Sequence, residues 1–142
     1  MSFEMIATLC AGLFAGAAIY INAVEHPARM SLGTGAALAE WRPSYRRATL
    51  MQAPLAIVGL LAGVAAWAMG AGSTWLVGGI LLGAVVPFTL LVAFPVNKQL
   101  LDPATDRDLD RATSLLARWN RLHAVRSLLS FVALLLFVLQ LG

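Results

Sequence analysis

The sequence predicts an all-α membrane protein: an antiparallel, up-down transmembrane four-helix bundle formed by residues 1–142 as one domain, with helix 4 extended into the cytoplasm. Three observations predict it. Of 142 residues, 60% are hydrophobic and 12% are charged, about half the charge of an ordinary water-facing domain. The apolar residues fall into four blocks, each near the roughly 20 residues that a helix needs to cross a hydrocarbon core of about 30 Å. The charges are segregated along the chain rather than spread through it.

The first block, 5–24, reads as a permanent helix rather than a signal peptide. Nothing basic precedes it, and it exceeds the usual cleavable apolar stretch of about 7–15 residues. It carries the only cysteine, Cys10. A lone cysteine forms neither an intrachain disulfide nor a C-x-x-C pair, so paired-thiol redox chemistry is excluded and Cys10 reads as a small packing residue. The second block is 51–69. Ahead of it, ALAEWRPSYRRATLMQ predicts a short interfacial helix with Trp41 at headgroup level, and a restart of the chain at Pro43.

The third block, 75–96, contains Pro87, which removes a backbone hydrogen bond and predicts a kink. The kink either shapes the bundle or widens a cavity, and Pro95 helps to end the helix. The fourth helix is expected over 106–141. Asp102 before Pro103, then Asp106, Asp108 and Asp110, mark a helix start, where acidic side chains and proline are favoured. At 1.5 Å per residue such a helix reaches about 50 Å, longer than the core is thick. Three blocks carry G-x-x-x-G: Gly12/Gly16, Gly59/Gly63 and Gly79/Gly83. Small residues allow close helix packing in lipid, either within the bundle or between copies in a homo-oligomer.

Four spans put both termini on one side. All ten basic residues lie on the other side or in the first turns of helix entering from it. The positive-inside rule makes that side cytoplasmic and places both termini outside; in a bacterium this is the inner membrane. The net charge of +3 therefore reflects topology rather than nucleic-acid binding.

The polar residues gather at the same end: Asn22, Glu25 and His26 on helix 1, Tyr45 and Gln52 on helix 2, Asn97 on helix 3, and Trp119, Asn120, His123 and Arg126 on helix 4. Helices that alternate in direction bring these ends together, which predicts a pocket. Residues three and four apart share a helix face, so ARWNRLHAVRS aligns Trp119, Asn120, His123, Arg126 and Ser127. His123 lies inside a membrane helix, where ionisable groups are functional candidates, and histidine serves as acid, base or metal ligand. Arg126, Asn120 and Asn97 are candidates to hold an oxyanion. Trp119, Asn22 and Tyr45 are candidates to contact substrate. Each has a structural alternative: Trp119 as an interfacial belt residue, Arg126 pairing with Glu25, His26 as a helix-end residue before Pro27. His26, His123 and Glu25 form a candidate two-histidine, one-carboxylate metal set, and the same histidines are candidate haem ligands, although neither H-E-x-x-H nor C-x-x-C-H is present.

GLFAGAAIYINAVEHPAR in helix 1, W-R-P-S-Y-R-R before helix 2, FPVNKQLL after helix 3 and W-N-R-L-H-A-V-R-S into helix 4 together resemble the anthrone oxygenase family of small four-helix membrane proteins. The resemblance implies oxidation of an anthrone to an anthraquinone by molecular oxygen, and the residues leave open whether this needs no cofactor or a metal ion or haem at His26 and His123. In that chemistry His123 removes an acidic benzylic proton, Asn97, Asn120 or Arg126 holds the enolate oxygen, and the small aromatic substrate partitions to the interface of the lipid bilayer, where these residues gather. Two other classes remain. A non-catalytic small-molecule binder or transporter is one; proton-coupled export is disfavoured because no acidic residue lies mid-span. An accessory membrane protein that assembles through its glycine faces is the other.

Overall fold

The structure, a computed structural model, describes all 142 residues. Four long helices account for almost the whole chain: α1 Phe3–Met30, α2 Thr34–Ala68, α3 Ser73–Leu101 and α4 Leu109–Gln140, each long and apolar enough to cross a membrane. The fold is the predicted up-down bundle, and its apolar helices make the chain a multi-pass membrane protein. Each helix packs against its chain neighbour, and α4 closes the ring on α1.

The connections are short because glycine permits them. Gly33, Gly70 and Gly72 have φ of 92°, 91° and 112°, a region that other residues seldom enter. The Ser2 side chain caps α1 by accepting from Met5 N–H at 3.3 Å. Asp108 does the same for Arg111 at the start of α4, at 3.1 Å. The helix expected to begin at 106 therefore begins at Leu109, and Pro103–Arg107 forms a 3-10 turn before it.

The expected break at Pro43 does not occur. Thr34–Ala68 is one 35-residue helix that passes through both Pro43 and Pro54. Both prolines face outward, so the rings stay clear of the packed face, and the rest of the hydrogen-bond ladder holds the helix together. Trp41 is accordingly carried into the interior, fully buried.

Two of the prolines that do disturb a helix do so in the same way. Pro27 and Pro95 lack the N–H that an α-helix needs. Ahead of each, the ladder widens into a π turn, Ile21–Glu25 in α1 and Thr89–Ala93 in α3. Neither helix ends at its proline; α3 continues past Pro95 to Leu101.

The halves of α2 and α3 behave differently. Gly63 and Gly79 bring the backbones together: a Cβ on Gly63 would lie 2.7 Å from the Trp75 carbonyl oxygen and 3.0 Å from the Gly79 Cα. Leu60 fills the notch at Gly83. Beyond a break at Ala84, just before Pro87, α3 leaves α2. By contrast, a Cβ on Gly16 meets nothing within 4 Å, and one on Gly12 meets only the Leu134 side chain at 3.6 Å, so the glycine pair of α1 marks no close approach of backbones.

The core is in two parts. One, containing Phe14, Leu82, Trp75 and Phe137, fills the end that holds the termini. The other, containing Leu38, Trp41, Leu100, Leu116 and Trp119, fills the opposite end. Of the buried polar side chains, Gln52, His123 and Ser127 lie at chain positions between these clusters, and His26 and Asn97 lie at the level of the second.

Candidate functional site

The centre of this layer is Trp119. His123, one turn along α4, stacks on it with ring centroids 4.9 Å apart and 22° between planes. His26 from α1 lies 5.5 Å away, and Trp41 meets it edge-on at 5.8 Å. The Arg29 guanidinium sits 5.5 Å over the same ring. Trp119 is buried inside the bundle, so the belt position open to it on sequence grounds is not the one it takes.

A backbone carbonyl of α1, just ahead of the π turn, meets His123. Ile21 N–H is shared between the Ala17 and Ala18 carbonyls, and the Ala18 carbonyl oxygen also lies 3.2 Å from His123 Nε2. A carbonyl only accepts, so Nε2–H is the donor. In the neutral imidazole this is the Nε2–H tautomer, and the other nitrogen, Nδ1, carries a lone pair. That Nδ1 is buried and has no hydrogen-bond partner.

Two inner cavities meet here. A crevice of about 10 Å³ is lined by His123, Arg126, Trp119, Trp41, Gln52 and Tyr45, among others. A larger cavity of about 190 Å³ lies between α2 and α3, with Phe14, Ala53, Val86, Leu90 and Phe94 on its walls. Tyr45, Thr49 and Arg126 border both and form the neck between a polar and an apolar space. The larger cavity occupies the gap that opens where α3 leaves α2.

Arg126 donates from Nη2 to Gln52 Oε1 at 2.9 Å and lies 5.5 Å over the Phe14 ring. Its Nε is buried and unpartnered, and no carboxylate pairs with it. The pairing with Glu25 that the sequence left open goes elsewhere. Glu25 Oε1 is 2.9 Å from Arg29 Nη2 and accepts from Ser44 Oγ at 2.5 Å, while Arg29 Nε lies 2.5 Å from Glu40 Oε2. Arg29, one turn after Glu25, had the i,i+4 spacing that signals a pair; its second partner, on another helix, had no such signal.

Other candidates fall outside the cavities. Asn22 Nδ2 donates to Asn120 Oδ1 at 2.7 Å and to the Asn120 carbonyl at 3.1 Å, and Ser127 Oγ donates to Asn22 Oδ1 at 2.6 Å. These amides are spent on joining α1 to α4. Neither Asn22 nor Asn120 borders either cavity. Asn97 is 1% exposed and donates to Tyr45 Oη at 3.4 Å; it stands behind Tyr45 rather than on a cavity wall. Tyr45 stacks on Trp41 at 4.8 Å. Trp41 and Phe14, neither of them singled out from the sequence as a site residue, are on the walls, as is Gln52 of the expected polar layer.

The metal set does not assemble. No three His, Cys, Asp or Glu side chains converge to hold an ion, and Glu25 turns to Arg29 and Ser44. The haem alternative fits no better. His123 Nε2 is committed to Ala18, and His26 borders neither inner cavity.

Fold and site together define a small, multi-pass helical membrane protein with a buried histidine–arginine layer beside an apolar cavity. The family model for anthrone oxygenase matches residues 41–136, about two thirds of the chain, and the chain belongs to that family. The match includes Trp41, Tyr45, Gln52, Asn97, Trp119, His123 and Arg126; Asn22, Glu25 and His26 precede it. No curated protein and no solved structure matches the chain.

Proposed function

We propose that this protein is a membrane-embedded oxygenase that converts an anthrone-like aromatic to its quinone with molecular oxygen, with His123 as the base. One observation carries the reading: a buried imidazole nitrogen with a free lone pair stands in the same crevice as a cation that no carboxylate neutralises. Membership in the anthrone oxygenase family supports the substrate class.

The steps balance without a further reactant. His123 Nδ1 takes a proton from the acidic ring carbon between the two aromatic rings, and the carbonyl opposite becomes an enolate. Arg126 holds that oxygen, where a fixed charge in a dry site is most effective. The enolate carbon bonds to oxygen, and the resulting peroxide takes the proton back from the imidazolium. Loss of the second carbon-bound proton breaks the O–O bond and releases water. One oxygen atom enters the quinone and the other leaves as water.

The ten basic residues at one end of the bundle support a cytoplasmic site, with both termini outside and, in a bacterium, the inner membrane as its location. A second reading, binding without turnover, is favoured by the size of the crevice: about 10 Å³ is the space of one water molecule.

The test is quinone formation and oxygen uptake from anthrone by the purified protein in lipid nanodiscs, corrected for spontaneous oxidation. His123→Gln keeps a donor for Ala18 and removes the base. It should lower kcat by about 10²–10⁴-fold, the usual worth of general base catalysis. Undiminished turnover in that variant overturns the assignment; no turnover in the parent favours binding alone.

A further inference from the structure

Arg126 is a cation without a counter-charge, and the rest of the chain has none to offer it. Of the seven acidic residues, Glu25 and Glu40 serve Arg29 and Asp106 serves Arg42. Asp102 and Asp108 accept from backbone N–H groups. Glu4 lies near the N-terminus, at the other end of the bundle, and Asp110 is exposed in the first turn of α4. The partners Arg126 does have, the Gln52 carbonyl and the Phe14 face, are neutral. Charges held within a membrane bundle are paired or mark a ligand path.

The space beside Arg126 is apolar, and it opens sideways. Leu90 and Phe94, on the wall of the larger cavity, are 62% and 48% exposed on the outer face of α3. The mouth therefore lies between α2 and α3 and faces the lipid. The cavity, about 190 Å³, is somewhat larger than the void of about 150 Å³ that accepts a benzene molecule. Phe14, Tyr45 and Phe94 supply aromatic walls.

We propose that the cavity between α2 and α3 is an anion site entered from the bilayer, which takes a flat aromatic molecule with its acidic hydroxyl ionised against Arg126. The apolar ring lies between α2 and α3, and the oxygen reaches the neck formed by Arg126, Tyr45 and Thr49. The site thus selects molecules that partition into lipid as neutral acids and lose a proton on binding. This deepens and rests on the reading given above, placing the ring in the larger cavity next to the crevice that holds His123, but it is a statement about binding and stands apart from turnover.

The probe is 4-nitrophenol, a single ring whose absorbance distinguishes the phenol from the phenolate. It is titrated into the protein in lipid nanodiscs, beside empty nanodiscs. The expected result is saturable binding of one molecule per chain as the phenolate, at a pH where empty nanodiscs hold the neutral form. Arg126→Gln should weaken phenolate binding by about tenfold or more, the scale of one charge-assisted hydrogen bond. Arg126→Lys should retain most of it, and Ala53→Trp, which fills the cavity, should abolish it. Uncharged 4-nitroanisole should bind weakly and be indifferent to Arg126→Gln.

Spectra identical to those of empty nanodiscs overturn the proposal, as does equal affinity in Arg126→Gln. If that variant does not fold, the parent and Arg126→Lys spectra decide the matter: a bound probe in its neutral form overturns it. Displacement of the probe by equimolar oleate assigns the site to a membrane fatty acid and overturns the aromatic assignment. Phenolate binding without quinone formation leaves this site standing and removes the oxygenase; turnover without phenolate binding does the reverse.

Discussion

His123 and Ala18 are joined across α4 and α1 by a contact of 3.2 Å between the imidazole Nε2 and a backbone carbonyl. Because the acceptor is a carbonyl, the contact sets the tautomer, and because the tautomer is set, Nδ1 is the nitrogen available for chemistry. A π turn begins at Ile21, three residues after Ala18.

The two histidines should separate in their effects. His26→Gln leaves the inner cavities intact, since His26 borders neither, and turnover should stay within a few-fold of the parent. His123→Gln should lower it by about two orders of magnitude or more. Parallel losses in the two variants, together with a stoichiometric metal removed by both, would point back to shared ligation.

Arg29 should matter for folding rather than chemistry. Its side chain is 2% exposed and is set between Glu25 and Glu40. Arg29→Met leaves two partly exposed carboxylates facing each other and should cost about 1–3 kcal/mol, the usual penalty for stranding a hydrogen-bonding partner. Thermal unfolding in detergent measures it. Adding Glu25→Gln should recover part of the loss; no recovery would mean that the charges are not its source.

The Asn22–Asn120–Ser127 seam should behave as a packing device. Asn22→Ala should destabilise the bundle by about 0.6 kcal/mol and by no more than about 1.7, the measured range for hydrogen bonds between membrane helices. A double-mutant cycle with Ser127→Ala should be non-additive, because the two share the 2.6 Å bond. Additive losses would show that the contact carries no energy of its own.

The glycines should sort by what faces them. Gly63→Ala presses a methyl group against the Trp75 carbonyl and the Gly79 Cα, backbone atoms with little room to yield. Overpacking of this kind costs about 1–3 kcal/mol. Gly16→Ala meets open space and should change stability by less than about 1 kcal/mol. A large loss at Gly16 would instead reveal a contact with a second copy of the chain.

Pro87 should control the cavity. Pro87→Ala restores the missing N–H and favours a straighter α3, which brings its second half toward α2 and narrows the space behind Leu90. The variant should unfold at higher temperature and bind 4-nitrophenolate more weakly. Unchanged binding would show that the break at Ala84 is maintained by packing alone.

Much of this was legible along the chain. Hydrophobic block length and the one-sided placement of ten arginines and lysines are one-dimensional signals, and they sufficed for the four spans and for the end at which polar groups gather. Helical spacing sufficed to align Trp119, His123 and Arg126 on one face. The glycines of α2 and α3 were legible as packing residues, though not the choice of Gly63 and Gly79 over the pair in α1.

What the chain by itself determined is therefore composition at each level of the bundle: which residues share the polar layer and which helix carries each. Tertiary structure alone decided their pairing. It buried Trp41, spent Asn22 and Asn120 on each other, gave Arg29 both carboxylates and left Arg126 with none. Those outcomes depend on how each helix is rotated and tilted. Rotation and tilt are set by two π turns, a break at Ala84 and the approach of Gly63 to Gly79. Such contacts join residues far apart in sequence, and no periodicity within one helix encodes them.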